Sequence, residues 1–509
     1  MWDPSFWSAF PVGTEAALAS AEQYWQQLRD PERPQPPTVV QNQSDRLGSL
    51  DCDVIIVGGT LGVILGAILV QRGWKVVLWE RGRVRGRTQE WNISRSELHV
   101  FLDLGLLPDL ESIIASEYNP GRVHFLGGSP LWVRDVLNVG VDPVRLIEHC
   151  QRIFLAQGGQ ICEQTPFQEA VVHPDGVRVR STNGAVVTGQ LLIDAMGHRS
   201  PLVAQARQGQ RPEGVCLVVG GCAQGIPQHT HGDLIVTLTP IARHCQYFWE
   251  AFPARDGRTT YLFTYVDGDP RRLSLADLFA DYLRLLPDYQ QVELEALNWQ
   301  RLLFGCFPAY RQSPLAGLGD RVLFIGDSSG QQSPLSFGGF GAMCRHLSRL
   351  STSIHRILQE QALDQGSLQQ VQPYQPNLAV TWLFQQAMRV PLDQPRDPQQ
   401  VNRLLAAVFT EMAALGEATV RPFLQDVIQL APLLRTLGRV SQRHPGLVAQ
   451  LIPQIGLGSL LPWLQDLSAL ASFTGLERWS RSQTPHTLAE ELRFLQWRYG
   501  SGQDSTTPG

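Results

Sequence analysis

Asp51-Cys-Asp-Val-Ile-Ile-Val-Gly58-Gly59-Thr60-Leu61-Gly62 decides the fold of this 509-residue chain. Val54 to Val57 are all β-branched, and such side chains suit a strand covered on both faces. Glycines then break the strand. The apolar run from Val63 to Val70 reads as a helix packed in the interior. A second strand, Lys75 to Trp79, ends at Glu80. Strand, glycine turn, helix and strand together make the βαβ unit of a Rossmann-type sheet. Glycines let backbone N–H groups approach a pyrophosphate, and the helix start adds partial positive charge. An acid about twenty residues further on accepts ribose hydroxyls. The candidate dinucleotide-binding residues are therefore Gly58, Gly59, Thr60, Gly62 and Glu80, with Arg81 beside the acid. The motif is one residue short of the usual GxGxxG spacing, with Thr60 and Val63 where glycines are expected. The uncharged run Val54–Val70 is short for a membrane span and is explained by the buried strand and helix.

The length predicts two or three subdomains. A net charge of -5 excludes the strongly basic balance of a nucleic-acid binder. The cysteines are scattered with no CxxC pair, which points to a reducing compartment rather than a disulfide scaffold. The Met-Trp-Asp-Pro start has no basic region before an apolar stretch, so no secretory leader is expected. Residues 1–48 read as a helical lead-in and a linker rich in Pro, Gln and Asn. Residues 49–200 and 300–350 read as the Rossmann-type domain, with further strands at Val177–Val179, Leu191–Ile193 and Val322–Ile325. Residues 201–299 read as an inserted antiparallel sheet, from the runs Cys216–Gly221, Leu234–Leu238 and Thr260–Val266. Residues 351–500 read as helical and 501–509 as a disordered polar tail. The predicted class is α/β, a Rossmann-type domain carrying an antiparallel insertion and a helical C-terminal region.

Two later segments extend the first motif. Gly189 to Ser200 is a strand that ends in Asp194, with Gly197 shortly after. Arg321 to Gly330 is another, with Gly326 and Asp327 at its end, then Pro334 and Gly338-Gly339-Phe340-Gly341. In this order the three segments resemble the hydroxylase-type flavoproteins, the broad family related to geranylgeranyl reductases and aromatic hydroxylases. That resemblance implies FAD, with Asp327 on the ribitol chain and Pro334, Gly338 and Gly339 beside the isoalloxazine ring. Asp194 and Gly197 belong to the same set. Arg95, in the helix after the second strand, is the expected pyrophosphate arginine, since a guanidinium forms paired hydrogen bonds to phosphate oxygens. NAD carries no ribitol, so the Asp327 segment separates FAD from NAD.

Gln89–Leu98, Tyr247–Pro253 and Gly326–Gly341 together resemble the lycopene cyclases of the CruA/CruP type, nearer the CruP branch by chain length. The resemblance implies a reaction without net redox change. Linear ψ-ends of lycopene become β-ionone rings during carotenoid biosynthesis, with FAD in its reduced form. No second dinucleotide motif is evident, so NAD(P)H would be an external reductant. It also implies peripheral contact with the cytoplasmic side of a thylakoid or plasma membrane in a cyanobacterium. Glu250 is the candidate acid, because Phe-Trp-Glu-Ala-Phe resembles the Phe-Leu-Glu-Glu stretch of plant lycopene β-cyclases, with Ala251 in place of the second Glu. A carboxyl among aromatic rings stays protonated because burial disfavours its charge. Phe248, Trp249, Phe337 and Phe340 are the candidate substrate-pocket residues. Two alternatives stand beside this reading: an FAD-dependent oxidoreductase or monooxygenase acting on a carotenoid or other lipid, and a non-catalytic carotenoid-binding flavoprotein. His229 and His231 have no acidic or cysteine partner in sequence, so no metal site is expected. The uncharged stretch 446–465 reads either as an interfacial patch with Trp463 at the lipid boundary or as a buried hairpin.

Overall fold

The computed structural model describes residues 4–227, 230–394 and 396–503. His229 and residues 504–509 of the expected tail lie outside the described residues. The Cys52–Val57 strand runs parallel to Val76–Trp79 on one side and to Val186–Asp194 on the other. Gln160–Cys162 adds a further parallel strand beyond Val76–Trp79. Val322–Phe324 pairs in parallel with the end of Val186–Asp194. Two antiparallel strands, Gly176–Ser181 and Phe167–His173, extend the opposite side. Val40–Asn42, inside the stretch read as a linker, pairs with the outer one. The result is a mixed α/β sheet of eight strands among the described residues.

The helix Gly59–Gln71 is buried along nearly its whole length. It packs between this sheet and the helices Pro143–Ala156 and Gly339–Gln359, which is why its sequence is apolar all round. A seven-stranded sheet stands apart from the first. It draws on Gly214–Gln224, Gly232–Val236, Phe248–Ala254 and Gly257–Val266. It also reaches past the expected boundaries at both ends. Gly121–His124 and Leu131–Val133 join one edge, and Asn298–Ala309 forms the other.

One face of this second sheet is closed by two helices, Thr14–Arg29 and Leu275–Gln290. Trp25 is fully buried there, and its indole N–H donates to the Leu273 carbonyl at 3.0 Å. The N-terminal helix is thus part of a core and does not stand apart as a lead-in. The opposite face carries Phe248, Phe252, Phe263 and Tyr265, which pack toward Met388, Leu405 and Phe409 of the helical region.

From Gly339 the named elements are all helices. Among the described residues no single helix is long and apolar enough to cross a membrane. Trp463, read from sequence either at a lipid boundary or in a buried hairpin, is buried and donates to the Val380 carbonyl at 3.1 Å.

Trp25→Ala removes a fully buried indole and is expected to cost about 3–5 kcal/mol. A urea titration followed by far-UV circular dichroism checks this. An unchanged midpoint would mean that the N-terminal helix contributes no core.

Candidate functional site

Three turns meet at one end of the eight-stranded sheet. Gly58 sits at φ 105°, and a Cβ there would strike the Ala195 carbonyl, so only glycine allows the first turn to press against the second. Gly62 packs its helix onto the strand, with Ile56 2.7 Å from where a Cβ would lie. Thr60 is half-buried in the first helical turn. Glu80 accepts the Gly59 N–H at 2.7 Å and the Gly82 N–H at 2.9 Å, tying the second strand's end to the helix start. Arg81 beside it is exposed.

Asp194 is completely buried. It accepts hydrogen bonds from the Met196 N–H at 2.8 Å, the Ser328 hydroxyl at 3.1 Å and the Ser200 hydroxyl. Desolvation pushes its pKa up to about 6 despite these bonds. Gly197 donates its N–H to Ser328 Oγ at 2.7 Å. Asp194 therefore clamps the 194–200 turn to the 326–330 turn and presents no oxygen to a cleft. Asp327 and Pro334 line a cleft beside the third turn, and a Cβ at Gly339 would strike the Asp327 carboxylate. Arg95 is directed to the surface, where Glu117 at 2.7 Å and Glu111 hold it. The arginine that faces the interior of the site is Arg87, whose guanidinium lies 5.9 Å from the Trp91 ring. Burial lowers its pKa, while the charges of Tyr261, Asp327 and Glu90 raise it.

Glu250 lies where two cavities meet. The first, about 330 Å³, is walled mainly by apolar side chains that include Leu335, Leu405, Phe409 and Leu437. The second, about 240 Å³, reaches Arg87, Gly338 and Gly341. Glu250, Phe263, Leu335, Ser336 and Asp426 line both. Sheet register explains this wall. Glu250 stands opposite Tyr261, Tyr261 opposite Gly220, and Gly220 opposite Leu303. Directly opposed residues point to one face, so the carboxyl is set in a row of apolar and aromatic side chains. It forms no hydrogen bond or ion pair among the described residues, and burial pushes its pKa up to about 8. Asp426 sits nearby, bonded by the Ser336 hydroxyl and 3.7 Å from Arg345. Burial raises its pKa, while Arg345 and Ser336 lower it.

Of the aromatic candidates, Phe337 lines the Glu250 cavity. Trp249 points to the other face of its strand, 4.5 Å from the Tyr289 ring. Phe248 shares Glu250's face but is sealed against Phe263 and Tyr265. Phe340 stacks on Trp91 at 4.5 Å inside the first core. Arg87, Tyr261 and Asp426 were not singled out from sequence. Tyr261 had a signal, since Tyr261, Phe263 and Tyr265 alternate along one strand. Among the described residues no cluster of His, Cys, Asp or Glu is placed to hold a metal ion.

Among solved structures, a geranylgeranyl bacteriochlorophyll reductase-like protein from Thermoplasma acidophilum aligns at TM-score 0.56 and 13% identity, over 82% of this chain and 100% of that one. The halogenase PltM, in complex with phloroglucinol and FAD, aligns at 0.54 and 14%, over 89% and 96%. This chain has the fold of FAD-binding Rossmann-type flavoproteins. The Diels-Alderase PyrE3 of pyrroindomycin biosynthesis also aligns, at 0.50 and 18%, over 74% of this chain and 80% of that one. No family model and no curated protein matches the sequence. Identities this low establish the architecture, so the chemistry of this flavoprotein fold has to be argued from its own side chains.

Because Glu250 binds its proton more tightly folded than unfolded, its neutral form contributes stability that is lost as pH rises toward about 8. Glu250→Gln is expected to flatten the fall in melting temperature between the usual carboxylate range and about pH 8. Differential scanning fluorimetry across that range checks this, and superimposable profiles would contradict a protonated Glu250.

Proposed function

We infer that this chain binds FAD and is a lycopene cyclase, acting by proton donation from Glu250. The observation that carries this reading is one neutral, unpaired carboxyl at the junction of a large apolar cavity and the glycine loop 338–341. The site residues fit FAD. Asp327 and Arg87 supply opposite charges beside the glycine turns, and among the described residues the buried amide atoms Asn92 Nδ2 and Gln332 Oε1 lack partners. Gly58, Gly59 and Glu80 would hold the adenosine and pyrophosphate end, with Asp327, Pro334, Gly338 and Gly339 at the flavin end. Reduced FAD, when bound, would supply an electron-rich ring beside developing positive charge.

The rest of the chemistry belongs to this chain. Glu250 donates its proton to the terminal trisubstituted double bond of a ψ-end, leaving a tertiary cation. Tyr261, Phe263 and Tyr265 present ring surface beside that position, and aromatic faces attract cations. The apolar walls exclude water that would otherwise trap the cation as an alcohol. The next double bond attacks, a carbon–carbon bond closes the six-membered ring, and the Glu250 carboxylate takes up the proton that the ring loses, which restores both to neutrality. Ala251, where plant cyclases carry a second Glu, lies with Trp249 on the face away from the cavity. A carboxylate there would not reach the substrate.

The large cavity runs to helices whose outer side chains include Ile452, Leu461 and Leu464, all exposed. A bilayer surface is the source from which a lipid-soluble substrate would enter there. A second reading, an oxidoreductase on the same apolar substrate, is favoured by the names of the fold relatives, a reductase-like protein and flavin-dependent halogenating enzymes. PyrE3, a Diels-Alderase, supports ring-forming chemistry on this architecture.

Expression in lycopene-accumulating bacteria is expected to yield γ- or β-carotene. Glu250→Gln is expected to lower that yield by about 10²-fold or more while the purified protein keeps its flavin. Unchanged ring formation in the variant would remove Glu250 from the mechanism. Unchanged lycopene with oxygen-dependent NAD(P)H consumption would favour the oxidoreductase.

A further inference from the structure

Gln425 and Asp426 form the junction between the helices Glu417–Leu424 and Leu430–Arg443, and proton transfer from Glu250 makes no use of them. Asp426 holds its backbone at φ 59°, in the left-handed region that costs a non-glycine residue unless its surroundings fix it. Here they do. The Ser336 hydroxyl donates to its carboxylate, and Arg345 Nη2 lies 3.7 Å from the same group. Arg345 also donates to the Gln425 carbonyl at 2.7 Å and to Glu97 at 2.9 Å. The Gln425 side-chain amide donates to Ser94 Oγ at 3.0 Å and to the Asp135 carbonyl at 2.8 Å.

The groups that grip Asp426 belong to the glycine loop. Ser336 Oγ accepts the Gly338 N–H at 3.1 Å, so one hydroxyl joins a carboxylate of the helical region to the backbone of the 338–341 loop. Arg345 lies in the second turn of Gly339–Gln359, the helix that this loop starts. The other side of the junction belongs to the apolar cavity. Phe423 and Leu424, just before it, line that cavity with Asp426 itself. Leu335, next to Ser336, lines it too, and its carbonyl accepts the Tyr265 hydroxyl. A single buried carboxylate is thus in contact with the walls of both cavities.

A purely structural tie between these helices would be made at lower cost by apolar side chains, since a buried charge loses its hydration. The carboxylate has two alternative grips instead. Ser336 is bonded to it, whereas Arg345 at 3.7 Å is beyond hydrogen-bond length. If Ser336 turned away, the guanidinium would close on the carboxylate as a charge-assisted pair. The loop therefore has two discrete arrangements, with Ser336 held or released, and two influences choose between them. Volume entering beside Phe423 and Leu424 moves the carboxylate. Negative charge beside Gly338 repels that carboxylate and attracts the Gly338 N–H and Arg345.

We propose that Asp426 is a positioning residue that ties the 338–341 loop to the apolar cavity, so that the charge on the flavin and the occupancy of the cavity bias each other. This rests on the FAD reading above. Such a link is reciprocal: a ligand that changes the loop must find its own affinity changed by the loop. In a reaction without net redox change, it carries the reduced state of the flavin to a substrate that exchanges no electrons with it.

Amide hydrogen exchange read by mass spectrometry, on the holoprotein with its flavin oxidised and then reduced by dithionite, tests the link. Reduction is expected to change exchange in the peptide 423–428 tenfold or more. Ser336→Ala is expected to abolish that dependence, and Ser336→Thr, which keeps the hydroxyl, is expected to retain it. Ser336 is exposed toward the cavity, so neither substitution opens a core. A tie that served the fold alone would shift exchange equally in both redox states. Exchange at 423–428 that ignores reduction in the wild type, or a dependence that survives Ser336→Ala, would overturn the proposal. A chain that purifies without FAD would refute the FAD reading, and the tie is then decided on the flavin-free protein. There Ser336→Ala is expected to speed exchange at 423–428 tenfold, and unchanged exchange would overturn the tie as well.

Discussion

The site depends on how closely two strand ends approach each other. Gly58 rests against the Ala195 backbone, and Asp194 behind it draws three hydrogen bonds from the 194–200 and 326–330 turns. A buried carboxyl is costly unless its oxygens are satisfied, and here satisfying them locks those turns together. Glu80 does the same for the first turn by capping Gly59. The position of the 338–341 glycine loop follows, because the Asp327 turn that abuts Gly339 is fixed by that clamp.

The second sheet places Glu250, the proposed proton donor, through strand parity. Glu250 faces inward because Phe248 and Phe252 do, and an inward carboxyl in a row of apolar and aromatic neighbours has no partner to stabilise its charge. A pKa of about 8 leaves most of this group protonated at neutral pH, as the proposed proton donation to an uncharged substrate requires. Asp426 shares the cavity but has Ser336 and Arg345 beside it. Burial raises the pKa of both carboxyls, and Arg345 and Ser336 offset part of that rise at Asp426 alone.

The strands of the first sheet were legible in the sequence because burial on both faces demands unbroken apolar runs, as in Val54–Val57 and Leu191–Ile193. The glycine turn was legible because steric demands at Gly58 leave no other choice. Residues 248–252 were only half legible. Period two puts Trp249 opposite Phe248 and Glu250, so grouping all three in one pocket ignored the pleat. Arg95 was misplaced because its partners, Glu111 and Glu117, come from a loop and a short strand with no pattern linking them to it. The surroundings of Asp426 and the seat of the Thr14–Arg29 helix were not legible at all. They depend on where the C-terminal helices and the N-terminal helix dock, and that is set by long-range packing of side chains such as Trp25 and Phe409.

A proton from Glu250 is proposed to start ring closure. The most direct measurement is mass spectrometry of the carotenoid product formed by purified, flavin-reduced protein from lycopene in deuterated water. Proton-initiated cyclisation predicts a single deuterium retained in each new ring, in a product of otherwise unchanged elemental composition. A ring without deuterium, or a product that has gained oxygen or lost hydrogen, would contradict it.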